Sequence, residues 1–185
     1  MEDRPRHLVL VGPMGSGKST IGAALAHRLG LPFQDNDAAL EAQTGLDAAH
    51  VQDREGRAAL HAAEAEVLLD QLRRPTRSVI AAAASTVESP ACRRELATRA
   101  TVVWLDGDVD VLATRASSGR HRPLAHGAVR QQLAASRARR ARWYRALADV
   151  AVDVTHAGPD QVVRTIGRAL ALAESDGAAP RPTGG

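Results

Sequence analysis

Gly12-Pro13-Met14-Gly15-Ser16-Gly17-Lys18-Ser19-Thr20 is the stretch on which the reading of this chain turns. Lys18 is the only lysine present; taking it from the 24 basic residues leaves 23 arginines. A chain that otherwise uses arginine throughout keeps one ammonium group, between a glycine and a serine. The stretch fits G-x-x-x-x-G-K-[ST]. Glycines let the backbone curl until successive N–H groups point into one anion-sized hollow. The helix predicted to follow turns its positive end to the same hollow. An ammonium on a flexible stem can track the outer phosphates, where a planar guanidinium is bulkier and more directional. Gly12, Gly15, Ser16, Gly17, Lys18, Ser19 and Thr20 are therefore the expected triphosphate-binding residues, and Ser19 supplies a hydroxyl for Mg²⁺.

The flanks agree with this reading. His7–Val11 is an apolar run of strand length before the loop, and Lys18–Leu29 has helical periodicity after it, with Gly30 as a stop. Further strands are expected at 31–34, 78–82, 101–105 and 150–154. Helices are expected at 37–43, 55–73, 89–97, 109–116, 128–147 and 159–173, with a turn of helix at 48–51. Strands alternating with helices predict an α/β fold, a parallel sheet covered on both faces. Residues 117–127 lack apolar period and read as a mobile loop, and 175–185 have tail composition.

Bulk properties narrow the function classes. The chain has 185 residues, enough for one domain, here 1–174, and 44% are hydrophobic, enough for a core. The formal net charge is only +3 and aromatics are 2%. There is no basic stripe interleaved with aromatics, so no nucleic-acid partner is expected. No apolar run approaches membrane-spanning length, so no membrane is expected. Cys92 is the only cysteine, which excludes an internal disulfide and a cysteine-clustered zinc site. A cytoplasmic monomer acting on a small molecule is the expectation.

Asp35 and Asp37 follow the second strand, where ligands of open α/β sheets bind. Two readings are open for the pair. One carboxylate can support Mg²⁺ while the other orients or deprotonates an acceptor hydroxyl. Alternatively Asp37 is simply the N-cap of the next helix.

Taken together, the strand, GPMGSGKSTIGAALAHRLGLPF, the D-x-D of Asp35 and Asp37, and Thr44-Gly45 resemble the shikimate kinase family of small P-loop kinases. The likeness extends over about residues 7–170. It includes Gly56 with Glu64 and Glu66, Ser89-Pro90, Gly119-Arg120-His121-Arg122-Pro123-Leu124 and Arg140-Ala141-Arg142-Trp143-Tyr144-Arg145. The resemblance implies a three-layer P-loop kinase fold, a five-stranded parallel sheet in order 2-3-1-4-5 with a lid at about 116–128. It implies ATP and Mg²⁺, the metal on Ser19 and Asp35, and phosphorylation of shikimate or another hydroxylated carboxylic acid. Asp37 would be the base, Arg122 in the lid would neutralise the transferring phosphoryl group, and Arg115 would approach the nucleotide. Arg140 would grip a substrate carboxylate, as a bidentate guanidinium can.

Two departures fall in the implied acceptor site. Ala83, Ala84 and Ser85 stand where the family has three glycines, which adds Cβ atoms to the wall, and the glycine pattern implies dihedrals there that alanine resists. His61 stands where the family has its first substrate arginine, with Leu60 for a phenylalanine and Arg57 for a glutamate. A neutral imidazole cannot replace a guanidinium against a carboxylate, but one protonated beside a carboxylate could do so in part. Three functions follow: a divergent shikimate kinase, a kinase of a related cyclitol or sugar acid, or a nucleotide-binding module without transferase activity.

Overall fold

The structure, a computed structural model, describes residues 6–118 and 126–177. Elements run β1 (His7–Val11), α1 (Lys18–Leu29), β2 (Phe33–Asp35), α2 (Asn36–Thr44), α3 (Ala48–Glu55), α4 (Arg57–Arg73), β3 (Val79–Ala81) and a 3₁₀ turn (Thr86–Glu88). They continue with α5 (Pro90–Arg99), β4 (Ala100–Asp106), α6 (Val109–Ser117), α7 (His126–Leu147), β5 (Val150–Asp153) and α8 (Pro159–Gly177). The strands form one sheet in the order β2-β3-β1-β4-β5. All pairings are parallel, with Leu10 opposite Ala81 and Val103, and Asp35 opposite Ala81. The order is the one the resemblance implied.

β1 explains the layering. Its five residues are all buried, and successive side chains of a strand face opposite ways. Leu8 and Leu10 join Leu25 of α1, Leu112 of α6 and Ile166 of α8 on one face. Val9 and Val11 join Leu68 and Leu72 of α4, Leu96 of α5 and Tyr144 of α7 on the other. α7 serves both layers, Val129 and Leu133 packing in the first and Tyr144 in the second. It therefore crosses from one face of the sheet to the other. A smaller core of Leu40, Val51, Leu60 and Val67 holds α2, α3 and α4 together. Because the chain builds outward from β1 in both directions, the switch point of the sheet lies beside the carboxyl end of β1, where such folds bind ligands.

Several boundaries differ from expectation. β2 is three residues ending at Asp35, because that carboxylate starts the next helix. The turn expected at 48–51 is the full helix α3, capped by the Asp47 carboxylate, which accepts from His50 N. α8 runs to Gly177, past the expected 173 and into the predicted tail. Among the described residues, no helix is long and apolar enough to cross a membrane.

At the opposite end of the sheet from the switch point, His7 is 1% exposed. Its Nδ1 is 3.0 Å from Ser78 Oγ, to which Gln34 Nε2 donates at 2.6 Å. Burial lowers the His7 pKa below its ordinary 6.5, and the Arg99 and Arg77 charges add to that, against bonds to backbone carbonyls that raise it. The unfolded chain thus takes a proton that the folded state resists, so stability falls as pH drops below 6.5 towards the folded value. In His7→Gln, which retains a polar partner for Ser78, the loss of melting temperature between pH 7.5 and pH 5.5 should be smaller than in the parent. Equal losses in thermal melts would show that His7 is not a source of acid sensitivity.

Candidate active site

The loop after β1 is built by its glycines. Gly12 has φ of 149°, and a Cβ there would lie 2.2 Å from the Leu105 carbonyl oxygen. At Gly15, with φ of 80°, a Cβ would lie 2.1 Å from the Leu112 carbonyl oxygen. Backbone collisions of this kind do not relax, so β4 and α6 mould the loop as a bare amide surface. Ser16 is buried, and its hydroxyl donates to Pro13 O at 2.8 Å. Gly17 precedes α1 without a side-chain cap, and the first turn carries no acidic residue. The orphan N–H groups and positive end of α1 are left for an anion.

Lys18 is the first residue of α1, and its Nζ donates to the carbonyls of Gly12 and Pro13, each at 3.0 Å. Burial pulls the pKa of this ammonium down, while the charges of Asp37 and Asp35 push it back up. Ser19 and Thr20, exposed on the same turn, line the cleft beside it.

Asp35 and Asp37 line the cleft too, and they divide the work differently from one of the two readings. Asp35 is the N-cap of α2, its Oδ1 accepting from Asp37 N at 2.9 Å. Asp37 is a first-turn residue and is not the cap. The capping reading of Asp37 is thereby corrected. The reason is that β2 continues to Asp35, which starts the helix at Asn36.

The far side of the cleft begins on α4. Arg57, Leu60, His61 and Glu64 line the cleft, at the i, i+3, i+4, i+7 spacing of one helical face. Opposite them run Ala83, Ala84 and Ser85. Among the described residues no non-glycine has positive φ, and Ser85 sits at φ −78°, ψ −22°. The expected dihedral conflict is therefore absent: the segment turns helically, with Thr86 N donating to Ala83 O at 3.1 Å. The Ser85 hydroxyl donates to the Glu64 carboxylate. Burial raises the Glu64 pKa, the Ser85 bond and the Arg140 and Lys18 charges lower it, and Asp37 raises it further. Tyr144 of α7, fully buried, donates to Ala84 O at 3.1 Å, fastening this wall to α7.

His61 departs from one expectation. Burial lowers its pKa; Glu88 works against this, but Arg140, Arg57 and Arg139 add to the lowering. The neighbouring carboxylate does not make it a cation at neutral pH, because three guanidiniums and desolvation outweigh it. Arg140 lines the cleft, and its Nε donates to Glu88 Oε1 at 2.6 Å. Arg139 Nη2 reaches the same oxygen at 3.0 Å. Burial alone would raise the Glu88 carboxyl, but the bonds from these two arginines hold it below the usual range.

Arg115, at the end of α6, also lines the cleft and is tethered to the segment after β5, donating to Val154 O at 2.9 Å and Thr155 O at 3.3 Å. Arg122 and the centre of the predicted lid lie outside the described residues, and its flanks are the end of α6 and the start of α7. The cleft that unites the loop after β1, the end of β2, the α4 face and α7 has a volume of about 600 Å³. Of the residues expected from sequence, it brings together Gly15, Gly17, Lys18, Ser19, Thr20, Asp35, Asp37, His61, Ala83, Ala84, Ser85, Arg115 and Arg140. Sequence reasoning assigned no role to Glu88, Arg139 or the Ser85–Glu64 pair.

A family model described as shikimate kinase matches residues 14–171. Shikimate kinase of Halorhodospira halophila (strain DSM 244 / SL1) is 41% identical over 167 residues, covering 90% of this chain and 94% of that protein. The chain belongs to the shikimate kinase family. Among solved structures, shikimate kinase from Acinetobacter baumannii, in complex with shikimate, superposes with a TM-score of 0.84 at 28% identity, covering 95% of this chain and 96% of that one. Shikimate kinase from Aquifex aeolicus gives 0.75 at 26%, covering 91% and 98%. Like the family's other members, this protein is a small-molecule kinase.

Proposed function

We propose that the protein transfers the γ-phosphoryl group of ATP to a hydroxyl of shikimate, giving shikimate 3-phosphate and ADP. The observation that carries this reading is the convergence of Lys18, Asp37 and Arg140 on one cleft at the carboxyl end of the sheet. The loop fits a triphosphate because Gly12 and Gly15 leave no room for a side chain between the amides and their neighbours. Gly12, Gly15, Ser16, Gly17, Lys18, Ser19 and Thr20 would hold the phosphates, with Arg115 towards the nucleotide.

Mg²⁺ also fits. Among the described residues no group of three or more His, Cys, Asp or Glu forms a metal cage. Magnesium needs none in phosphoryl transfer, where one or two protein oxygens share it with phosphates and waters. Ser19 and Asp35 would provide those oxygens. Bound there, the ion offsets charge on the phosphate oxygens.

Asp37 accepts the proton as the acceptor oxygen forms its bond to phosphorus and the bridging P–O bond to ADP breaks. Arg140 orients the acceptor through its carboxylate. Arg122 is proposed, from its place in the R-P-L of the family signature, to stabilise the transferring group. ADP release should be measured with MgATP and a panel of shikimate, quinate, other cyclitols, gluconate and no acceptor. Shikimate-dependent release is the expected result. Release with another alcohol would move the acceptor, and nucleotide binding without release for any acceptor would overturn the assignment.

The neutral, half-buried His61 predicts a site underpowered for a carboxylate. His61→Arg should lower the KM for shikimate by about tenfold, the value of one added charge-assisted hydrogen bond. An unchanged KM would place residue 61 outside the acceptor contacts.

A further inference from the structure

Of the arginines in the half of the cleft that faces the acceptor, two are already engaged. Arg139 and Arg140 both donate to Oε1 of Glu88, at 3.0 and 2.6 Å. The side chain of Arg140 is only 11% exposed, so Glu88 is a principal counterion of a guanidinium with little water around it. The turn that carries Glu88 is itself fixed. Glu88 N donates to Ser85 O at 2.8 Å, and Arg93 Nη1 donates to Val87 O and Glu88 O at 2.7 and 2.8 Å. The carboxylate is thus presented to the arginines by a braced piece of backbone, one turn beyond the wall that lines the cleft.

Resting on the function proposed above, we propose that Glu88 is a specificity-determining residue that competes with the acceptor for Arg139 and Arg140. A carboxylate on the acceptor offers these arginines the same chemistry that Glu88 already supplies. Bidentate recognition uses two N–H groups along one edge of a guanidinium. Glu88 holds the Nε of Arg140, which removes the Nε edge from a two-pronged approach. Two guanidiniums with one carboxylate leave a net charge of one where two would otherwise meet the acceptor. His61, kept neutral, adds nothing. An uncharged polyol meets no such competition, so Glu88 narrows the preference for anionic over neutral acceptors.

Glu88→Gln tests this, since the amide oxygen still accepts from both arginines while the charge is gone. The KM for shikimate should fall about three- to tenfold, as expected for relieving one partly screened charge interaction. The kcat and the KM for ATP should stay unchanged, and the methyl ester of shikimate should show no gain. Glu88→Ala, which removes the accepting atom as well, should gain at least as much and serves if the glutamine variant folds poorly. An unchanged or higher KM for shikimate, or an equal gain for the ester, overturns the proposal. If the parent protein releases no ADP with shikimate, the functional reading fails by itself. Calorimetric titration of shikimate into parent and variant then decides the role of Glu88: tighter binding to the variant supports it, and equal or weaker binding overturns it.

Discussion

Lys18→Ala is expected to lower shikimate-dependent ADP release by on the order of 10³-fold, the scale of losing one preorganised charge at a developing anion. The variant should stay folded. Alanine is the best helix former and takes the first position of α1 without strain. Of the two bonds it deletes, to Gly12 O and Pro13 O, the second leaves a carbonyl that still accepts from Ser16 Oγ at 2.8 Å. Removing an ammonium whose burial already works against its charge also relieves a desolvation cost. Thermal melts should therefore nearly coincide with those of the parent, while equilibrium dialysis with ATP shows weakened retention. Lys18→Arg keeps the charge and should not rescue turnover, because a planar fork cannot take the place of a compact ammonium in this loop. Turnover within tenfold of the parent in Lys18→Ala would remove the loop from the phosphate-binding role.

What was legible in the sequence was what is local. The strand, glycine loop and helix from His7 to Leu29 are specified by neighbours in the chain, and the structure has their boundaries at the same residues. The strand order came only through the family likeness, since alternating elements are compatible with more than one parallel arrangement. The division between Asp35 and Asp37 was not legible: both residues can cap a helix, and which one does depends on where β2 stops. The wall of Ala83, Ala84 and Ser85 misled for a related reason. A glycine pattern suggests unusual dihedrals, but this segment turns in ordinary ones and hands a hydroxyl to Glu64. Glu88 and its arginines stand 51 and 52 residues apart, and nothing in the spacing of either segment announces the pairing. His61 was judged by one neighbour, a carboxylate, when burial and three guanidiniums decide its charge.

Asp37→Asn should separate chemistry from binding. The bond that starts α2 runs from the backbone N–H of residue 37 to the Asp35 carboxylate, so changing the side chain at 37 leaves the cap intact. Asparagine is nearly isosteric, and the cleft keeps its shape. What is lost is a group able to take the acceptor proton, and such groups contribute about 10² to 10⁴ in rate. The kcat with shikimate should fall within that range, while the dissociation constant for ATP changes by no more than about threefold, since Asp37 acts on Lys18 only as one of several charges. The same substitution removes a charge that raises the Glu64 pKa, so the buried Glu64–Ser85 pair should ionise more readily in the variant. Asp35→Ala is the informative contrast. There the helix cap and the proposed Mg²⁺ contact change together, so melting temperature and magnesium dependence should both shift, which Asp37→Asn should leave alone. A kcat for Asp37→Asn within threefold of the parent would mean that another group, or water, takes the proton. The acceptor hydroxyl would then have to be sought away from the end of β2.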